Sequence, residues 1–404
     1  MSDSGFRAAG YSWRLHCGRQ ALEQGLGDAV QRAGAKRAFV VCSPSINRRT
    51  DTVRRIETAL GERYAGVFDA IEKDSTYASV AAAREAAAAA GADLLIAVGG
   101  GSVIVATRAV AIFLAEKDDP FRIMTQYPEG KPAYSPRLMA PKPPIINVPT
   151  TPTSAMNRAG TGLKNIDLDH RMEFFDPKTR PQAIFLDEEA LLATPADLIR
   201  STGTTVFAGL VGARAQLDAN PLAAGDEDQA FRLAYGAYRR LADEPDEAAL
   251  RLDLCLAAFL QNRAEDDGLR RFRGGVFSGN YAVSTALHVR YPRVGQGEST
   301  AVVHAPRIRL SEEVEPRAAR RVAQSLGVWQ DGMAARDAAL AVADTLEQLY
   351  GRMGMPTRLR QLDIPREDFP AIAGETVKNF NANAGARSPE AQVAEALRLL
   401  EAAY

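Results

Sequence analysis

ADLLIAVGGGSVIVATRAVAIFLA (residues 92–115) is the stretch on which the fold turns. ADLLIAVGGGS (92–102) reads as a strand and then a glycine turn, its apolar run being of the kind a strand covered on both faces needs. The turn is Gly99-Gly100-Gly101-Ser102, and residues 103–115 return to helical spacing. Glycines let the backbone approach a ligand closely, and the N–H groups and dipole of the next helix attract an anion. A pyrophosphate is the natural occupant; a tight strand-to-helix turn with no ligand is the alternative. The spacing is not G-x-G-x-x-G, so this turn does not decide between them alone.

On either side the same alternation continues. Residues 19–33 carry Leu22, Leu26, Ala29 and Val30 at helical spacing, and 37–42 (RAFVVC) is an apolar strand candidate. A helix from Thr50 to about Leu60, a strand at 64–71 and an alanine-rich helix at 78–90 closed by Gly91 lead back to the glycine turn. PPIINVPTT (143–151) and QAIFLD (182–187) supply two more strands. Pro149-Thr150-Thr151-Pro152-Thr153-Ser154 places a hydroxyl cluster after one of them, able to bond phosphate or ribose oxygens or to cap a turn. This order predicts a doubly wound parallel sheet, and two such loops at strand C-termini point to a nucleotide crevice.

After about residue 190 strand-like runs nearly vanish, and amphipathic stretches appear at 226–242, 246–263 and 333–352. Ser388-Pro389-Glu390 opens a last helix. The expected fold class is therefore α/β + all-α, with a dinucleotide-binding domain over 1–190 and a helical domain over 191–404. A chain of 404 residues exceeds the ~250–300 at which one core stops growing, which agrees with two domains. The net charge of −1 lends no support to a nucleic-acid partner. Cys17, Cys42 and Cys255 are too few and too scattered for a disulfide framework or zinc ribbon. The polar start carries no apolar signal region and no run is long enough for a membrane span, so the expected setting is cytoplasmic.

Together, these residues resemble the iron-containing alcohol dehydrogenases. The phrase around Gly18 with its helix and KRAFVVCSP, the strand-GGGS-helix unit and the PTT loop occur in that family's order. So do RPQAIFLDEEALLATP (180–195) and MGMPTRLRQLDIPREDF (353–369). LDANPLA (217–223) and the tail from Asn381 to Tyr404 look most like the maleylacetate reductase branch. The resemblance implies a nucleotide-binding α/β domain, a helical domain, a cleft between them and NAD(P)-linked carbonyl reduction or alcohol oxidation. The implied substrate is a small-molecule or peptide carbonyl or alcohol, and a homodimer is the family's habit.

Several family positions are altered. The Asp and Lys that follow the GGGS motif are Val105 and Arg108, and the Gly-Ser-Glu beyond the threonine loop is Ala155-Met156-Asn157. The first two metal-ligand positions fall at Thr205 and Gly209, the last at Gln296, and the third at Ser284 or His288. A catalytic metal needs about three ligands from Asp, Glu, His or Cys, so no iron or zinc site is expected. Metal-independent members have a precedent in the maleylacetate reductase branch.

Without a Lewis acid, the developing oxyanion falls to cationic or hydrogen-bond donors. His288 is the leading general acid, with a satisfied core histidine as the plain alternative. Gln296 donates to the same oxygen or is ordinary helix surface. Arg171, where the family often carries a cleft lysine, contacts cofactor or a substrate carboxylate or is a solvated arginine. Arg387 is a weaker anion-binding candidate. The cofactor-binding candidates are Ser43, Gly99, Gly100, Gly101, Ser102, Thr150, Thr151 and Ser154. Ser43 stands where NAD-selective members carry an acid, and Arg48 and Arg49 are close by, so NADP is favoured over NAD. Two other readings stay open. One is a non-catalytic relative serving as a binding or scaffold subunit beside an active enzyme. The other is a lyase related to dehydroquinate synthase, against which the same ligand losses argue.

Overall fold

The computed structural model describes residues 5–128, 131–168, 170–266, 275–377 and 388–404. The chain forms two compact units, Tyr11–Pro195 on the one hand and Met1–Gly10 with Ala196–Tyr404 on the other.

In the first unit the strands are β1 (Arg14–Gly18), β2 (Ala38–Cys42), β3 (Tyr64–Phe68), β4 (Leu94–Gly99), β5 (Ile145–Pro149), β6 (Gly160–Leu163), β7 (Met172–Phe175) and β8 (Ala183–Asp187). Six of them form one parallel sheet in the order β1-β8-β5-β4-β2-β3, and β6 and β7 make a separate antiparallel pair. The helices are α1 (Ala21–Arg32), α2 (Pro44–Arg49), α3 (Thr52–Leu60), α4 (Tyr77–Ala89), α5 (Gly101–Ala115), α6 (Pro120–Ile123) and α7 (Glu188–Leu192). Every residue of β2, β4, β5 and β8 is buried, which is why those strands read as unbroken apolar runs. Leu22 and Leu26 of α1 and Ile56 of α3 pack into the same core as Val40 and Ile96. Each such side chain contributes about 1.5–3 kcal/mol on burial.

Where β8 ends, the buried Asp187 holds three elements. Its carboxylate accepts from the Ala190 N–H at the start of α7 (3.0 Å) and the Leu22 N–H of α1 (3.3 Å), and from both terminal nitrogens of Arg55 on α3 (2.9 and 3.0 Å). Because β3 and β4 flank β2, sheet growth reverses between β2 and β4. In an open parallel sheet that reversal places a ligand crevice beyond the C-termini of these two strands. The loops there begin at Ser43 and Gly100.

The second unit contains α8 (Ala196–Arg214), α9 (Pro221–Arg240), α10 (Ala248–Asp266), α11 (Tyr281–Arg290), α12 (Gln296–Leu310), α13 (Pro316–Leu326), α14 (Ala335–Arg352), α15 (Phe369–Glu375) and α16 (Pro389–Ala402), with no strand among its described residues. Asn220 and Ser388 cap α9 and α16 through their side chains, each ahead of a proline at the first helical position. Among the described residues no helix is long and apolar enough to cross a membrane.

Candidate functional site

The glycine turn and the threonine loop meet. Gly99 has φ +152°, in the region open to glycine, and α5 starts two residues later. A Cβ on Gly100 would lie 3.0 Å from Thr151 Oγ1, and one on Gly101 would lie 3.0 Å from Thr153 Oγ1. The Thr150 N–H donates to the Gly99 carbonyl (3.1 Å), and the Thr194 hydroxyl donates to the Thr150 carbonyl (2.8 Å), which sets the loop in register with the turn. Thr151 is 1% exposed, yet its hydroxyl has no hydrogen-bond partner among the described residues. A buried hydroxyl left unpaired costs about 1–3 kcal/mol. Side-chain-free glycines, an orphaned hydroxyl over them and the N-terminus of a fifteen-residue helix together fit a diphosphate.

The other cofactor candidates differ in role. The Ser102 hydroxyl accepts from the Asp74 N–H (3.2 Å) and its carbonyl accepts from the Ser75 hydroxyl (2.6 Å), so Ser102 binds the loop after β3. Ser154 is exposed on the threonine loop. Ser43, just after β2, has its hydroxyl 3.1 Å from that of Ser45. Both line a cavity of about 480 Å³ together with Arg48, Arg49, Glu72 and Lys73. Lys73 and Ser45 escaped the sequence reading, because EKDS (72–75) matches no phosphate motif; only the fold brings it beside the end of β2.

Arg171 is a brace. It donates to the carbonyls of Gly162 (3.0 Å) and Asp74 (3.3 Å), and its side chain is only 22% exposed. Arg108 is buried along α5 and donates to the Gly160 carbonyl (2.5 Å), while its Nε and Nη2 have no partner among the described residues. Burial pulls its guanidinium down to about 9.

In the helical unit, His288 is 6% exposed on α11 and its Nδ1 lies 2.9 Å from the Ser284 carbonyl. The Ser284 hydroxyl bonds those of Ser299 (2.9 Å) and Thr300 (3.1 Å), and the Thr300 hydroxyl donates to the Gln296 carbonyl (2.7 Å). The chain of bonds therefore brings His288, Ser284 and Gln296 together; the Gln296 side chain itself is exposed at the start of α12. Arg387 lies outside the described residues.

The positions expected for metal ligands form a helix junction. Thr205 leans on the Ser201 carbonyl (3.5 Å), and a Cβ on Gly209 would sit 3.0 Å from Gln261 Nε2. A Cβ on Gly297 would collide with the Ser201 carbonyl, and the Ser201 hydroxyl donates to Glu298 (2.6 Å). Thr205, Gly209, Gln296 and either Ser284 or His288 offer at most one imidazole, a donor set that does not fit iron or zinc. Among the described residues no three His, Cys, Asp or Glu side chains gather where they could hold a metal.

Two family profiles match the chain. "Iron-containing alcohol dehydrogenase" covers residues 13–188, and "Fe-containing alcohol dehydrogenase family, C-terminal" covers residues 201–404. A 1,3-propanediol dehydrogenase of Citrobacter freundii is 26% identical over 65% of this chain and 66% of its own length. The chain therefore matches just under two-thirds of that relative. A 4-hydroxybutyrate dehydrogenase of Cupriavidus necator is 27% identical over 92% of this chain and 93% of its own. Among solved structures, maleylacetate reductase from Agrobacterium tumefaciens superposes with a TM-score of 0.73 at 19% identity, covering 99% of each chain, a likeness of fold.

Proposed function

This chain belongs to the iron-containing alcohol dehydrogenase family, and we propose that it is a metal-independent NAD(P)H-linked oxidoreductase that interconverts a small-molecule carbonyl and its alcohol. The observation that carries this reading is the pairing of bare glycines 99–101 with the orphaned Thr151 hydroxyl at the sheet's reversal point. Family membership supports a nicotinamide dinucleotide there, which supplies a hydride when bound.

The chain's own residues do the rest. The amides at 100–102 and the Thr151 hydroxyl hold the diphosphate. In reduction the substrate oxygen becomes an alkoxide and needs a proton. A carbonyl only accepts hydrogen bonds, so His288 Nδ1 carries the hydrogen in its bond to Ser284, and Nε2 of the neutral ring holds the lone pair. His288 therefore gives a proton from Nε2 only as the imidazolium, and takes one in alcohol oxidation as the neutral ring. Ser43, which puts a hydroxyl instead of a carboxylate at the end of β2, and Arg48 and Arg49 on the same cavity favour NADPH over NADH.

Titrating the protein with NADPH and NADH while following Trp13 and Trp329 fluorescence tests the reading. Saturable quenching supports it. No binding of either at millimolar concentration overturns it and leaves the chain a non-catalytic member of its family.

A further inference from the structure

We infer that Lys73, in the loop after β3, is a specificity-determining residue that contacts the 2′-phosphate of the dinucleotide. This rests on the NADPH reading above and names the group that enforces it. Lys73 lines the 480 Å³ cavity opposite Ser43, Ser45, Arg48 and Arg49, which reach it from the end of β2 and from α2. Of the acids nearby, Glu72 accepts the Thr76 hydroxyl (2.6 Å), and Asp69 stands 3.8 Å from Arg48 Nε while accepting from Asn47 (3.1 Å). The lining thus carries three cations against one carboxylate, with two hydroxyls between them, which suits a phosphomonoester dianion.

The backbone beside Lys73 is unusual. Asp74 (φ 65°) and Ser75 (φ 56°) both occupy the left-handed region although neither is glycine. Strain of that kind persists only where the surroundings over-determine it, and it gathers at ligand clamps. Here the surroundings are explicit. Ser102 accepts the Asp74 N–H, the Ser75 hydroxyl bonds the Ser102 carbonyl, and Arg171 donates to the Asp74 carbonyl. The backbone that follows Lys73 is therefore tied to the turn proposed to hold the diphosphate. Arg171 acts through it as a positioning residue.

Dissociation constants for NADPH and NADH, with adenosine 2′,5′-bisphosphate and inorganic phosphate as competing probes, test this on the full chain. The unaltered protein binds NADPH more tightly than NADH. Lys73→Gln weakens NADPH about tenfold, the loss of one charge-assisted contact, and NADH less than twofold. Lys73→Glu reverses the preference, and Lys73→Arg retains it. Competition by the bisphosphate well below the inorganic phosphate concentration needed assigns the site to the nucleotide. Competition by inorganic phosphate alone overturns that assignment. Lys73 is exposed, so its variants keep the parent's unfolding midpoint. Should Lys73→Gln and Lys73→Glu leave a clear NADPH preference intact, Lys73 has no part in it and the NADPH reading stands. An unaltered protein indifferent to the 2′-phosphate overturns both.

Discussion

His288 Nδ1 donates a 2.9 Å hydrogen bond to the carbonyl of Ser284, one helical turn earlier on α11. That bond fixes the tautomer, and if His288 is the acid proposed above the two directions of the reaction are expected to have opposite pH dependence. In that role carbonyl reduction draws on the imidazolium and is expected to be favoured at lower pH, whereas alcohol oxidation draws on the neutral ring and is favoured at higher pH. His288→Ala lowers turnover by about 10²–10⁴, the usual worth of a positioned acid, and leaves cofactor affinity within a few-fold. Turnover and pH profiles in both directions check this, and an unchanged kcat in the variant removes His288 as the acid.

Thr151 gives a prediction with two signs. Its hydroxyl is buried and unpartnered among the described residues, so Thr151→Val keeps the shape and removes the orphan. Without nucleotide, the variant is as stable as the parent or up to about 1 kcal/mol more stable. NADPH affinity falls about tenfold, because the diphosphate loses a charge-assisted donor. A thermal melt and a binding titration read the two effects separately. A variant that loses stability yet binds normally contradicts the assignment of Thr151 to the cofactor.

The sheet was legible because burial on both faces leaves an unmistakable apolar run, as in Leu94–Val98 and Ile145–Val148. What escaped has physical causes. Strand β1 reads RLHCG and pairs only with β8 at the sheet's edge, so it needs no apolar run. The β6–β7 pair is four residues long on each side and carries Gly160 and Gly162, too little pattern to register. The glycine turn and threonine loop proposed to hold the diphosphate are visible in sequence as GGGS and PTT, but Lys73 is not. Its place depends on a strained turn whose restraints come from Ser102 and from Arg171, about a hundred residues away. In sequence Arg171 looks like a cleft or surface arginine, because nothing there marks a guanidinium that serves backbone carbonyls.

The helix junction at Thr205, Gly209 and Ser284 predicts the outcome of metal analysis. Protein purified without chelator carries iron and zinc well below one ion per chain, and EDTA leaves turnover unchanged. Rebuilding one ligand requires its neighbours to move. A histidine at Gly209 places its Cβ 3.0 Å from Gln261 Nε2, and the Ser284 hydroxyl is already committed to Ser299 and Thr300. Near-stoichiometric metal that disappears in His288→Ala shows instead that a ligand set forms around that imidazole.

His304 is expected to make the helical unit sensitive to acid. It is fully buried on α12, with Nε2 2.8 Å from the Phe277 carbonyl and Nδ1 2.7 Å from the Tyr350 hydroxyl. The carbonyl requires the hydrogen on Nε2, so the neutral ring satisfies both partners and a second proton breaks the bond from Tyr350. Burial lowers its pKa from 6.5 to about 4. The unfolded chain therefore binds a proton between pH 6.5 and 4 that the native state refuses, and stability falls as pH drops through that window, by up to about 3 kcal/mol. Trp329 lies in the helical unit and Trp13 in the other, so urea melts of a Trp13→Phe background isolate the relevant transition. His304→Gln is less stable than the parent at pH 7, having lost a well-bonded ring, but declines less between pH 7 and 4.5. Parallel declines in the two proteins place the acid sensitivity on other groups.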